Sequence, residues 1–299
     1  MTSNHQLSDV SVVIPAKNES TTIGEIVGKL VSMGVGEIIV VDDGSTDETS
    51  LVAAEADAQV IRHPYAKGNG AAIKTGARRA GGHFIAFMDA DGQHRPEDLP
   101  RLVDMARQGF DLVIGTRDRT AHASFFRRIG NGIYNTLASW IVGQRVRDLT
   151  SGYRVADAAK FREFLQMLPN GFSYPTTSTM AFLRSGYSVA FEPITVQQRK
   201  DKSKSHIHIV RDGGRFLLII FRIAALYSPL KVFFPTSLTF FASGIAYYAY
   251  TFATDGRFTN FGALLLSTAV IIFLIGLVSE QVTMLLYTSA NRNDQHRVE

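Results

Sequence analysis

The chain has 299 residues, a formal net charge of +4, no cysteine and a mean hydropathy of +0.05. That length allows one large domain or a domain with an appendage. The missing cysteines exclude disulfides, cysteine-ligated zinc and thiol catalysis, and fit a reducing compartment. No apolar core of a signal peptide stands in Met1–Asp9, so none is expected. The average hydropathy conceals a division. The first two thirds read as soluble α/β, whereas the apolar weight lies after residue 215.

Val10–Pro15 is a β-rich run stopped by proline, and Thr22-Ile-Gly-Glu25 has capping-box spacing for a helix to about Met33. Glu37–Asp42 is a second strand, and Ser45-Thr-Asp-Glu48 repeats the capping box before a helix to about Ala56. Gln59–Arg62 is a third strand, followed by a helix from about Asn69 to Ala80. Phe84-Ile-Ala-Phe-Met88 is continuously apolar, as a strand covered on both faces should be, and it breaks into Asp89-Ala90-Asp91-Gly92-Gln93. A helix after Pro96 and a strand over Asp111–Gly115 continue the alternation. Strands alternating with helices predict βαβ units and a mostly parallel sheet. Ligands then bind beyond the carboxyl ends of the strands. Those ends carry Pro15–Glu19, Asp42-Asp43, Asp89–Gln93 and Gly115–Arg117.

Asp89 and Asp91 stand two apart, so in an extended chain they project to one side, and Gln93 adds a third oxygen in register. Such a set cannot cage a cation alone. It suits Mg²⁺ or Mn²⁺, which keep waters and take further ligands from a substrate phosphate. The other reading, a polar turn closing a strand, stays beside it. An EF-hand loop is excluded, because its later ligands do not follow.

Residues 125–140 read as an amphipathic helix with a basic start at Arg127-Arg128. Phe216–Tyr227 is apolar but interrupted by Arg222 and too short to span; with His206, His208, Arg211 and Arg215 before it, it predicts a helix lying in a membrane interface. Two uncharged stretches, Val232–Thr254 and Phe261–Ser279, predict a transmembrane hairpin with spans of about 232–254 and 261–284 across a ~30 Å hydrocarbon core, Glu280 lying near the inner end of the second. Arg215, Arg222 and Lys231 precede it and Arg292 and Arg297 follow, which puts both ends in the cytoplasm. Glu280 is either wetted by headgroups or paired with another helix. The expected layout is a catalytic domain over 1–204, an interfacial helix over 205–229, the hairpin over 230–290 and a cytoplasmic tail over 291–299.

Val-Val-Ile-Pro15-Ala-Lys17-Asn18-Glu19, Val-Asp42-Asp43-Gly-Ser-Thr-Asp47, Lys67-Gly-Asn-Gly70 and Asp89-Ala90-Asp91-Gly-Gln93-His94 occur in this order. Order and strand positions resemble the inverting GT-A glycosyltransferases of family 2. Asp148-Leu-Thr-Ser-Gly-Tyr-Arg154, the basic Arg199–Lys204 segment and the hairpin resemble its polyprenyl-phosphate branch, which includes dolichyl-phosphate mannose synthases and bacterial undecaprenyl-phosphate glucosyltransferases. The resemblance covers nearly the whole chain. It implies a GT-A, Rossmann-like catalytic domain that moves a sugar from a nucleotide-sugar to a polyprenyl monophosphate at the cytoplasmic leaflet, with inversion. UDP-glucose is the favoured donor, with GDP-mannose and UDP-N-acetylhexosamine open.

The resemblance implies that Pro15, Lys17, Asn18, Glu19, Asp42, Asp43, Lys67, Asp89, Ala90 and Asp91 bind the nucleotide-sugar. Arg199, Ser203 and Lys204 would form a basic flap over the diphosphate. Asp89, Asp91 and Gln93 would hold the metal, with Asp91 the indispensable ligand. Arg117, Arg127, Arg128, Asn135 and Arg154 would meet the acceptor phosphate, Arg117 also reaching the donor. Asp91, Arg117 and Asp148 are the catalytic candidates, with Asp148 either orienting the acceptor or a metal or serving a structural role. A phosphate acceptor is already anionic and needs no general base; the Q-x-x-R-W of processive synthases is absent around Gln197. A non-lipid acceptor and a non-catalytic nucleotide-sugar-binding scaffold are the alternatives. No nucleic-acid partner is expected, and no small-residue stripe fixes the stoichiometry of a homo-oligomer.

Overall fold

The computed structural model describes residues 7–117, 125–171, 174–195, 228–257 and 259–295. The chain forms two compact units, residues 1–140 with 144–205, and residues 141–143 with 206–299.

In the first unit, β1 (Leu7–Ala16), β2 (Val35–Asp42), β3 (Gln59–Arg62), β4 (Phe84–Phe87), β5 (Leu112–Arg117), β6 (Arg154–Asp157) and β7 (Val189–Ile194) form one sheet in the order β3-β2-β1-β4-β6-β5-β7. Around it lie α1 (Ile23–Ser32), α2 (Thr49–Glu55), α3 (Asn69–Arg79), α4 (Leu99–Arg107), α5 (Phe125–Val142), α6 (Ala158–Glu163) and α7 (Tyr174–Arg184). β1 pairs in parallel with β2 and β4, while β6 runs antiparallel between β4 and β5. The expected mostly parallel α/β sheet is therefore present, and β6 is the strand that makes it mixed.

Period-two alternation places the faces of the central strand. Val12 and Ile14 join the core built with Ile23, Val27 and Leu30 of α1 and Leu99, Leu102 and Val103 of α4. Val13 points the other way, against Gly76 of α3, where any Cβ would overlap it. A strand buried on both faces must be apolar throughout, and β4 is buried at all four positions.

Both expected capping boxes fail in an informative way. α1 begins after Thr22, but the Thr22 side chain makes no cap bond. α2 begins only at Thr49, with Glu48 at the cap position. The Thr22 and Ser45 side chains bond instead to neighbouring loops. The start of α3 is closed by its own chain. Its first-turn N–H groups, which would favour an anion, already donate to the chain's own backbone: Gly70 to the Gly171 carbonyl at 3.2 Å and Ala71 to that of Asn170 at 2.9 Å. Gly68 adopts φ +104°, and a Cβ on Gly70 would overlap the Pro169 carbonyl oxygen.

In the second unit, α8 (Pro229–Asp255) and α9 (Asn260–Gln295) form a helical hairpin. α9 contains a stretch, Asn260–Leu285, long and apolar enough to cross a membrane; among the described residues no other helix meets that standard by composition. α8 falls short because serines, threonines and tyrosines dilute it. Several of its hydroxyls are nonetheless satisfied within the helix, Thr236 donating to the Val232 carbonyl and Thr239 to that of Pro235, both at 2.9 Å. Ser237 Oγ fastens the helices by donating to the Ala269 carbonyl at 2.8 Å. Glu280 takes a partner, its carboxylate accepting the Leu230 N–H at 3.2 Å in the first turn of α8. An acid there satisfies an orphan donor and faces the positive end of the helix dipole. α9 stays helical to Gln295, into the expected tail. The expected interfacial helix lies outside the described residues.

G70A is expected to destabilise the protein by about 1–3 kcal/mol through backbone overlap. G28A, at an open position in α1 with nothing within 4 Å of its Cβ, should be neutral or stabilising by up to about 1 kcal/mol. Thermal unfolding of detergent-purified protein compares the two.

Candidate active site

The site is built where the sheet order reverses, between β1 and β4. The loop after β4 carries Asp89, Ala90 and Asp91, and three contacts fix it. Thr22 Oγ1 donates to the Ala90 carbonyl at 2.6 Å, joining the loop after β1 to the one after β4. Asp89 N–H donates to His94 Nδ1 at 3.1 Å, and the buried His94 ring stacks on Tyr153 with centroids 5.0 Å apart. Asp91 Oδ1 accepts the Gln93 N–H at 3.1 Å, a tight turn beyond the second acid. The Asp89 side chain is 37% exposed, so its carboxylate is accessible.

The loops after β1, β2 and β3 are laced together beside it. Asn18 adopts φ +55°, a left-handed conformation asparagine tolerates. Its N–H donates to Ser45 Oγ at 3.0 Å, and its Oδ1 accepts the Thr46 N–H at 2.9 Å. Glu19 N–H donates to Thr49 Oγ1 at 2.9 Å, and Ser20 N–H to Asp47 Oδ2 at 3.2 Å. Burial pushes the Asp47 carboxyl up, but bonds from Thr49 and Ser20 outweigh it and bring the pKa down to about 2.

Several residues expected to touch substrate are committed to the protein instead. Asp42 is wholly buried, accepting the Ser45 N–H at 2.7 Å and the Ser50 hydroxyl, so its carboxylate is not offered to a nucleotide. Asp43 is 5% exposed and binds its neighbours through both oxygens: Oδ1 to His63 Nδ1 and the Lys67 N–H, Oδ2 to the Gly68 N–H, each at 2.8 Å. Burial raises the Asp43 carboxyl, yet these donors leave it below its ordinary value. Lys67 is exposed, with its ammonium 5.7 Å from the centre of the Tyr65 ring. An open cleft of about 520 Å³ is lined by Gly44, Ser45, Thr46, Arg62, His63 and Pro64 beside these loops.

Two acceptor candidates are likewise bonded within the protein. Asn135 donates from Nδ2 to the Arg147 carbonyl at 2.8 Å and accepts the Leu149 N–H on Oδ1 at 3.2 Å, fastening α5 to the following loop. Arg154 is fully buried. Its Nη1 donates to the Pro175 carbonyl at 2.9 Å and Ser178 Oγ at 2.7 Å, and its Nη2 to the Ser151 carbonyl. Burial pushes its pKa down, partly offset by the nearby Tyr174 and the carboxylates of Asp148 and Asp89. Both side chains are engaged within the protein. Asp148 Oδ1 accepts the Thr150 and Ser151 N–H groups at 2.9 and 3.2 Å, which makes it the cap of a turn.

Pro15 and the exposed Lys17 stand at the end of β1, and Arg117 ends β5. Arg127 and Arg128 lie in the first turn of α5. Arg199, Ser203 and Lys204 lie outside the described residues. No spacing in the sequence marks His63, His94, Tyr153 or Thr22 as site residues. His94 does stand in the acidic motif, but its burial follows from the fold and not from the spacing.

The residues present fit a hard divalent cation. Among the described residues no group of three or more His, Cys, Asp or Glu could hold a metal alone. An accessible Asp89 with Asp91 two residues on supplies hard oxygen ligands and leaves the rest of the shell to water and substrate.

Residues 11–166 match the family model described as glycosyl transferase family 2. The chain belongs to that family. Residues 228–285 match a second model, the GtrB C-terminal hairpin, and cover both helices of the second unit up to Leu285. The transferase is 28% identical over 297 residues to glycosyltransferase AglJ of Haloferax volcanii, covering 97% of each chain. It is 33% identical over 209 residues to polyprenol monophosphomannose synthase of Mycolicibacterium smegmatis, covering 63% of this chain and 77% of that one. A match to the undecaprenyl-phosphate 4-deoxy-4-formamido-L-arabinose transferase of Proteus mirabilis is 32% identical and covers 50% of this chain and 48% of the relative. Among solved structures, glucosyl-3-phosphoglycerate synthase of Mycobacterium tuberculosis, in complex with Mn²⁺, UDP-glucose and phosphoglyceric acid, superposes with TM-score 0.56 at 25% identity, covering 72% and 78% of the two chains.

The lowered Asp43 pKa has a sign. The carboxylate stabilises the fold fully above its ordinary pKa of 3.8, and that contribution is lost as pH falls through the lower folded value. D43N should therefore lower the urea midpoint at neutral pH, with the gap to the parent narrowing only below about pH 4.

Proposed function

We propose that this family 2 enzyme transfers one sugar from a nucleotide-sugar, UDP-glucose in the first instance, to a polyprenyl monophosphate at the cytoplasmic face of a membrane. The carrying observation is the Asp89–Asp91 pair at the switch point, with Asp89 accessible and the loop pinned by Thr22 and His94. The hairpin supports a membrane-held acceptor, as do relatives whose names carry polyprenol and undecaprenyl phosphate. Both α8 and α9 cross the bilayer in this reading; α8 is long enough at 27 residues, and its internally bonded threonines lower the cost of insertion.

Asp89, Asp91 and Gln93 would hold Mg²⁺ or Mn²⁺, with the donor diphosphate supplying further oxygens. The cation, when bound, neutralises charge growing on the leaving group. The laced loops after β1 and β2 shape the nucleotide side, with Pro15, Lys17, Asn18 and Glu19 at its edge, and the basic Arg199–Lys204 segment covers the diphosphate. Arg117, Arg127 and Arg128 orient the lipid phosphate. One of its oxygens forms a bond to the anomeric carbon as the bond from that carbon to the diphosphate oxygen breaks. The nucleoside diphosphate departs on the opposite face, and configuration inverts. The acceptor oxygen is anionic, so no protein base has to remove a proton.

The test incubates purified protein with undecaprenyl phosphate, Mg²⁺ or Mn²⁺ and labelled nucleotide-sugars, and follows label into the organic phase. Metal-dependent extraction from one donor is expected, and D91A should lower it by at least about a hundredfold with helix content unchanged. Label passing only to a soluble acceptor such as phosphoglyceric acid, or undiminished turnover by D91A, would overturn the proposal.

A further inference from the structure

The Asp148–Arg154 motif has no part in the transfer as described, yet it lies directly behind the acidic pair. A Cβ on Gly152 would lie 2.8 Å from Asp89 Oδ2, 3.1 Å from Oδ1 and 3.3 Å from Cγ. Its three nearest neighbours would all belong to that one carboxylate. Gly152 does not have a positive φ, so close approach, and not backbone freedom, is what calls for glycine here.

The turn carrying Gly152 is held from several sides. Tyr174 Oη donates to the Gly152 carbonyl at 3.1 Å. Asp148 Oδ1 accepts the Ser151 N–H, and Arg154 Nη2 donates to the Ser151 carbonyl. Arg154 pairs in register with Phe87, two residues before Asp89, so its guanidinium is anchored in the strand next to the one that delivers the acid.

That arginine is an unusual investment for a core. It is fully buried, the carboxylates of Asp148 and Asp89 act on it through space without a direct hydrogen bond, and its Nε and the Ser151 hydroxyl have no hydrogen-bond partner. Burying a charge without a paired acid is costly, and a fold that keeps one at such a place uses it. Its planar fork bonds two elements at once, the Ser151 carbonyl on one side and Pro175 and Ser178 of α7 on the other. A lysine cannot reproduce that geometry.

We propose that the Ser151–Arg154 turn is the seat of Asp89. Gly152 gives the carboxylate its place and direction, and Arg154 fixes the turn that carries Gly152. Both are positioning residues for the divalent cation and touch neither donor nor acceptor. The inference rests on the proposed metal-binding role of Asp89.

The test uses the full chain in nanodiscs and reads Mn²⁺ binding by electron paramagnetic resonance with UDP present, beside the thermal midpoint without metal. G152A should weaken Mn²⁺ binding by about tenfold or more, as loss of an outer-shell partner does, while the midpoint moves by no more than about 2 °C. The metal concentration for half-maximal transfer should rise in parallel, with the KM for lipid acceptor unchanged. R154K should weaken Mn²⁺ binding in the same direction. Mn²⁺ affinity within about twofold of the parent in G152A would overturn the seat, and so would a loss of affinity matched by a large fall in midpoint. If the unmodified chain binds no Mn²⁺ with UDP, the metal reading itself fails, and the seat with it.

Discussion

Thr22 gives its hydroxyl proton to the carbonyl of Ala90, the residue between the two acids, and this 2.6 Å bond spans the point where the sheet changes direction. Loops at a switch point diverge to opposite faces, so something must hold them in register before a ligand can bridge them. The bond is buried, where a hydrogen bond is electrostatically stronger and an unmade one most costly. On one side it sets the start of α1, and on the other the path of the Asp89–Asp91 turn. His94 secures the same turn from beneath through the Asp89 N–H.

The carboxylates along this edge divide into two groups. Asp42, Asp43 and Asp47 are supplied with donors from the loops after β1, β2 and β3, and Asp43 and Asp47 have lowered pKa values as a result. Their charge is answered inside the protein and holds the loops after β1, β2 and β3 in one sheet of hydrogen bonds. Asp89, by contrast, presents an accessible carboxylate. In the proposed reading a cation at this edge meets ligands at the β4 loop, and the acids of the β2 loop are scaffold for the nucleotide side. Substrate phosphate completes a shell that two carboxylates cannot.

Much of this was legible in the sequence because it depends on local pattern. The apolar runs located β1, which stops at Pro15, and β2 and β4, which end in acid, and the D-x-D spacing placed both acids at one strand end. What stayed illegible depends on long-range partners. Thr22 and Ser45 carry the spacing of helix caps, but tertiary bonds to Ala90 and Asn18 took their side chains. Arg154 closes a polar turn and reads as a phosphate ligand; only the antiparallel insertion of β6 between β4 and β5 reveals that it is buried. Asn135 reads as a surface amide on a basic helix, and its partners, Arg147 and Leu149, lie a loop away. Glycines behave likewise. Gly70 and Gly152 look like flexible joints and are places where backbone or carboxylate comes too close for a side chain.

The central claim is that the acidic pair holds a cation only together with a donor diphosphate. The direct measurement is a Mn²⁺ titration of the unmodified protein by isothermal calorimetry, with and without UDP. The account predicts weak binding to the protein alone, tightened by about tenfold or more when UDP supplies the missing oxygens, with UDP affinity rising by the same factor in Mn²⁺. Tight Mn²⁺ binding that is indifferent to UDP would contradict it, because the site would then be a complete protein cage.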